Sequence, residues 1–140
     1  MLLEMIACYI LGDSIAVGIG QYRPECTVEA EVGINSQTYM QHFGFRLRQA
    51  DRVIISIGTN DYPGVNSELE IAALRNSIDA DSVIWILPNK VLRPQQRKIV
   101  LAIAKKNDDN VIDIPKSILT EDGIHPNNYR VLAEMTRNVL

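Results

Sequence analysis

Apolar runs rich in β-branched residues alternate with amphipathic stretches along the whole chain. The runs cover residues 5–11, 26–32, 52–57, 82–87 and 110–114. The third contains Val53, Ile54, Ile55 and Ile57, and the fourth Val83, Ile84, Trp85 and Ile86, with no polar alternation. A strand with one wet face alternates, whereas a strand covered on both faces reads as a continuous apolar run. These two therefore predict central strands of a parallel sheet.

The intervening stretches have helical spacing. Residues 36–49 place Tyr39, Met40, Phe43 and Leu47 at steps of three and four, with Asn35 or Ser36 available as a cap. Residues 67–77 open on Ser67 followed by Glu68 and Glu70, the acidic first turn that a helix dipole favours. Residues 94–106 begin with proline, and residues 127–140 put Val131, Leu132, Met135 and Val139 on one side. The apolar stripes are read as core packing.

Strands alternating with helices imply right-handed crossovers and an α/β fold, a three-layer α/β/α sandwich. Five strands suit a flavodoxin-like order 2-1-3-4-5. At 140 residues the chain is expected to form one domain, residues 1–140. In such sheets the crevice lies beyond the carboxyl ends of the strands, so residues of chemical use should directly follow the apolar runs.

Charge narrows the partners. With 17 acidic and 14 basic side chains the net charge is -3, and no basic stripe of the kind that binds nucleic acid stands out. Arg93, Arg97, Lys98, Lys105 and Lys106 are interleaved with apolar residues and read as a solvated helix face. The apolar start, residues 1–11, has no basic leader region, is interrupted by Glu4 and is too short to span a membrane. The expectation is a cytoplasmic protein with no membrane partner. Cys8 and Cys26 belong to no metal-binding spacing, and two buried thiols in a reducing compartment are preferred over a disulfide.

Four segments follow the apolar runs with chemistry to offer. After the first comes Gly12-Asp13-Ser14, where a serine opens a short helix. After the second comes Gly33-Ile34-Asn35-Ser36, in which the Gly33 N–H can face an anion. After the third comes Gly58-Thr59-Asn60-Asp61, in which Asn60 offers an amide donor and Asp61 serves the turn. After the last comes Asp122-Gly123-Ile124-His125-Pro126, whose spacing of three lets the Asp122 carboxylate reach back to the imidazole. Taken singly, Ser14 is better explained as a helix cap, and the others as turn formers. Taken together they supply a nucleophile, oxyanion donors and an oriented base on one rim.

The order and spacing of these blocks, from residue 12 to residue 125, resemble the SGNH/GDSL hydrolase family. The resemblance implies Ser14 as nucleophile, His125 as general base and then acid, and Asp122 as the carboxylate that orients it. It also implies an oxyanion hole of the Ser14 N–H, the Gly33 N–H and the Asn60 amide, with no metal or organic cofactor. Elsewhere, His42 reads as a surface or packing histidine and Trp85 as core. Asn89 and Lys90 follow the fourth run and line the crevice, and Tyr62 flanks the acyl site or closes its loop.

The chain carries no long insertion to form a lid or tunnel. A shallow site for small acyl esters is expected, acetyl first, on a small molecule or a saccharide. A thioesterase or lysophospholipase activity, or a non-catalytic binding module on the same fold, are the alternatives. A flavodoxin-like cofactor or signalling domain is disfavoured, since no phosphate-cradling glycine loop is present and Ile57-Gly58 stand where an acidic residue would be needed.

Overall fold

A computed structural model describes residues 6–44 and 46–139. Expectations touching residues 1–5, Phe45 and Leu140, including the absence of a leader, lie outside the described residues. The elements run β1 (Ile6–Gly12), α1 (Ser14–Gly20), β2 (Thr27–Ala30), α2 (Ser36–Phe43), β3 (Arg48–Ser56) and α3 (Ser67–Asn76). They continue with β4 (Ile78–Ile86), α4 (Pro94–Lys106), β5 (Asn110–Ile112), a 3₁₀ turn (Lys116–Ile118) and α5 (Tyr129–Asn138). The five strands are all parallel, in the order β2-β1-β3-β4-β5. This is the three-layer α/β/α sandwich expected.

Successive strand residues point to opposite faces, so each apolar run feeds two cores. Tyr9, Leu11, Val53, Ile55 and Trp85 pack on one face with Tyr39, Ile71, Leu74 and Val100 from α2, α3 and α4. Ile10, Ile54, Ile84 and Ile86 pack on the other with Ile15, Ile19 and Leu132 from α1 and α5. Trp85 is fully buried, and its indole N–H donates to Asp109 over 3.0 Å.

Several boundaries differ from the sequence expectation. Helix α2 stops at Phe43 rather than continuing to residue 49, and β3 begins at Arg48 rather than residue 52. Gly44, with φ +69°, ends α2, and a buried ion pair holds the start of β3. Arg48 is fully buried and donates from Nε to Glu29 over 2.9 Å, while Arg46 pairs with the other Glu29 oxygen. Hydrophobic periodicity cannot register a buried charge that is stabilised by a partner 19 residues away. Strand β4 likewise starts early, at Ile78, because Ile78 and Ala80 pair with Arg48 and Ala50 of β3.

The cysteines overturn the expectation of free thiols: Cys8 and Cys26 form a disulfide. Pairing of Tyr9 with Thr27 in neighbouring strands makes the two cysteines lateral neighbours, with Cα atoms 4.8 Å apart. That proximity comes from strand order and register, which spacing along the chain does not reveal. Thiol titration of the denatured, unreduced protein should find no free cysteine. Reduction should lower the unfolding free energy by about 3 kcal/mol, the loop-entropy value for a closure of this length. An unchanged melting temperature in reductant would remove the bond from the stability account.

Candidate active site

Ser14 is the first residue of α1, and the turn that delivers it is unusually tight. Gly12 has φ +136°, and a Cβ there would stand 1.7 Å from the Ser56 carbonyl oxygen of β3. Only glycine allows that approach. Asp13 caps α1 by accepting the Ile15 N–H over 3.1 Å, and its backbone N–H donates to the Ser56 carbonyl over 2.9 Å. The Ser56 hydroxyl donates to the same Asp13 oxygen over 2.9 Å.

From the other end of the chain, residues 118–127 form a tight hairpin closed by the Leu119–Pro126 bridge and the Thr120 N–H to His125 carbonyl bond of 2.8 Å. At its tip, Asp122 is saturated with donors. One oxygen accepts the Ile124 N–H, the His125 N–H and the Thr120 hydroxyl over 2.8, 2.9 and 2.7 Å. The other lies 2.6 Å from His125 Nδ1. The imidazole contact first, then the backbone and hydroxyl bonds, hold the Asp122 carboxyl well below the usual carboxylate range. An ionised Asp122 can only accept, so the ring proton belongs on Nδ1 and the lone pair on Nε2. Nε2 is 3.0 Å from the Ser14 hydroxyl.

The loops after β2 and β3 meet at a second junction. Asn60 donates one amide hydrogen to the Ile34 carbonyl over 3.1 Å, which fixes the amide and leaves its other hydrogen uncommitted by that bond. Gly33, with φ +77°, precedes Ile34, and nothing lies within 4 Å of where its Cβ would be. Asp61 does more than close a turn. It is buried and accepts from the Ser36 N–H (2.7 Å), the Ser36 hydroxyl (2.7 Å) and the Ser67 hydroxyl (2.6 Å). It thereby ties the starts of α2 and α3 to the Asn60 loop. The Glu31 N–H donates to the Gly12 carbonyl over 2.9 Å and joins the β2 loop to the Ser14 turn.

No sequence family and no curated protein matches this chain. Solved structures do. It is similar to a GDSL-like lipase from Bacteroides thetaiotaomicron at 18% identity, with TM-score 0.60 over 92% of this chain and 83% of that one. A G-D-S-L family protein from Desulfitobacterium hafniense is 17% identical, with TM-score 0.62 over 96% and 99%. The catalytic domain of peptidoglycan O-acetyltransferase A from Streptococcus pneumoniae is 14% identical, with TM-score 0.56 over 94% and 88%.

The chain has the SGNH/GDSL hydrolase fold.

Within this SGNH/GDSL fold the remaining sequence candidates separate. His42 is on α2, half exposed, and faces Glu31 at 3.4 Å. Tyr62 is 56% exposed and Lys90 is also exposed. Asn89 is engaged with the protein itself, donating to the Gly123 carbonyl over 2.7 Å. Sequence reasoning gave Asp61 only a turn role and gave Asp13 none. Both directly flank a predicted site residue, but a buried acceptor and a surface turn former have the same one-letter code.

Asp13 is buried, and its second oxygen has no hydrogen-bond partner among the described residues. Burial pushes its carboxyl up to about 6, against the opposing bonds from Ser56 and Ile15. A raised carboxyl pKa means that the folded state holds the proton more tightly than the unfolded chain. Its contribution to stability is greatest below the unfolded value near 3.8 and is lost as pH rises through about 6. At ~1.4 kcal/mol per decade of proton affinity, the loss is on the order of 3 kcal/mol. Denaturant titrations of wild type and Asp13→Asn at several pH values should differ in slope across that window, the variant being flatter. Parallel curves would mean that Asp13 does not titrate there.

Proposed function

We propose that this chain is a serine ester hydrolase acting on small acyl groups, acetyl first, on a small molecule or a saccharide. The observation that carries the reading is the Ser14 Oγ to His125 Nε2 distance of 3.0 Å, with Asp122 on the other ring nitrogen. A serine hydroxyl is a weak nucleophile until a base within hydrogen-bond reach takes its proton. His125 is that base. Ser14 Oγ attacks the ester carbonyl while its proton passes to Nε2, and the carbonyl oxygen becomes an oxyanion. The Ser14 N–H, the Gly33 N–H and the free Asn60 amide hydrogen receive that charge. The intermediate collapses, the alcohol leaves with the proton from His125, and the acyl group stays on Ser14. Water then attacks the acyl-serine, gives its proton to Nε2, and the acid is released as Ser14 regains its proton. The imidazolium formed in each half is stabilised by the ionised Asp122.

The His125 and Asp122 side chains are 44% and 48% exposed, which supports a shallow site that admits a bulky alcohol and a short acyl group. Thioester or lysophospholipid hydrolysis uses the same steps and is the second reading. The residues of the reaction all lie on one domain spanning the chain. The disulfide favours an oxidising compartment over the cytoplasmic one expected from sequence. Among the described residues no helix is long and apolar enough to cross a membrane.

Incubation with p-nitrophenyl acetate should give turnover that a serine-reactive phosphonate abolishes, with one label on Ser14. Ser14→Ala and His125→Ala should be folded and nearly inactive. Full turnover by either variant would refute the assignment, and no turnover by wild type would leave a binding module. Asn60→Ala should lower kcat by about 10²–10³-fold with little change in KM, as for a donor used mainly in the transition state. A rise in KM at constant kcat would make Asn60 a ground-state binding residue.

A further inference from the structure

We propose that residues 89–93, between β4 and α4, are a brace that sets the separation of the Asn60 loop from the His125 loop, with Asn89 and Arg93 as positioning residues. The inference rests on the hydrolase reading above for its kinetic consequence, though not for its geometry. Asn89 Nδ2 donates to the Gly123 carbonyl over 2.7 Å, inside the Asp122–His125 hairpin. Arg93 Nε donates to the Thr59 carbonyl over 2.6 Å, the peptide directly before Asn60. The two ties run from one short segment to two different loops.

The segment between them is itself stiff. The Asn89 side-chain oxygen accepts the Val91 and Leu92 N–H groups over 2.8 and 2.9 Å, and the Arg93 N–H donates to the Asn89 carbonyl over 2.9 Å. Leu92 lies against Gly123, its Cδ1 3.4 Å from where a glycine Cβ would stand. Arg97, one turn further on, bonds the Pro88 carbonyl and the Asp113 carboxylate, which anchors the segment to the end of β5.

Among the described residues no hydrogen bond joins the Asn60 loop directly to the His125 hairpin. The Asn60 loop is tied towards β2, through the Ile34 carbonyl and through Asp61 to Ser36. The His125 hairpin is closed on itself by the Leu119–Pro126 bridge. The base and the oxyanion donor thus stand on separate loops, and the brace spans them. Misplacing reacting groups by about 1 Å costs on the order of 100-fold in rate, so a strut with two tied ends has kinetic weight.

A strut fails when either end is released, and releasing the second end then adds little. Asn89→Asp keeps the oxygen that accepts from Val91 and Leu92 but loses the donor to Gly123. Arg93→Met loses the donor to Thr59 without touching a helix cap, since the Arg93 side chain makes no cap bond. Each single variant should lower kcat by about tenfold or more with KM within about twofold, and the double variant should be no more than about threefold below the worse single. Arg93→Lys, which retains one donor, should recover most of the loss. Kinetic losses that multiply in the double variant, or a single variant with wild-type kcat, would overturn the brace.

Amide hydrogen exchange supplies a readout independent of turnover. The Ile124 and His125 N–H groups, which are bound to Asp122, should exchange faster in Asn89→Asp than in wild type. Unchanged exchange also overturns the proposal. If wild type shows no esterase activity at all, the hydrolase reading fails, and the exchange comparison still decides the brace.

Discussion

The contact between the Ser14 hydroxyl and the His125 imidazole joins residues 111 positions apart, and the arrangement at the crevice depends on it. The imidazole is not held by burial, for it is nearly half exposed. Hydrogen bonding does the holding. One oxygen of Asp122 gathers three donors from its own hairpin, so the other oxygen has a fixed place and direction for Nδ1. Ring orientation and tautomer follow from a carboxylate that can only accept. A hairpin of this kind can sit in solvent and still present a base in one pose, because its own backbone bonds set the geometry.

Buried carboxylates organise the rest of the rim, in two different ways. Asp61 is matched with one N–H and two hydroxyls, and its desolvation is offset by direct bonds to α2 and α3. Asp13 is under-matched, with one oxygen bonded and the other bare, and its proton affinity rises accordingly. The first arrangement fixes loops, whereas the second leaves an unmatched carboxyl oxygen directly before Ser14. Glu29 gives a third case at the opposite side of the sheet, where Arg48 and Arg46 neutralise it in the β2–β3 region. For Asp61 and Glu29 a charge is tolerated inside because donors reach it from elements distant in sequence.

The rim is therefore a set of loops held by polar ties across a rigid sheet. The parallel strands bring the carboxyl ends of β1, β2 and β3 side by side. Gly12 lets β1 turn against the Ser56 carbonyl, and the Glu31 N–H reaches back to the Gly12 carbonyl. Catalysis of the type proposed needs donors and base fixed before substrate arrives, and such ties supply that pre-organisation. An exposed site with firm loops suits a reaction in which water must enter to complete the cycle.

The pattern of continuous apolar runs was enough to determine a parallel sheet covered on both faces, because residue periodicity reports directly which faces are dry. The blocks at Ser14, Gly33, Asn60 and Asp122–His125 were singled out for a related reason: strand ends in this fold class open on one crevice. What the chain alone could not show were relations between distant positions. The Cys8–Cys26 bond depends on the lateral register of β1 and β2, and the early start of β3 on a charge pair between Arg48 and Glu29. The roles of Asp13, Asp61, Asn89 and Arg93 depend on donors and acceptors 25 to 43 positions apart, or on burial. Polar side chains carry no periodic signature, since whether one is a surface residue or a buried tie is decided by which partner the tertiary structure brings within 3 Å or so.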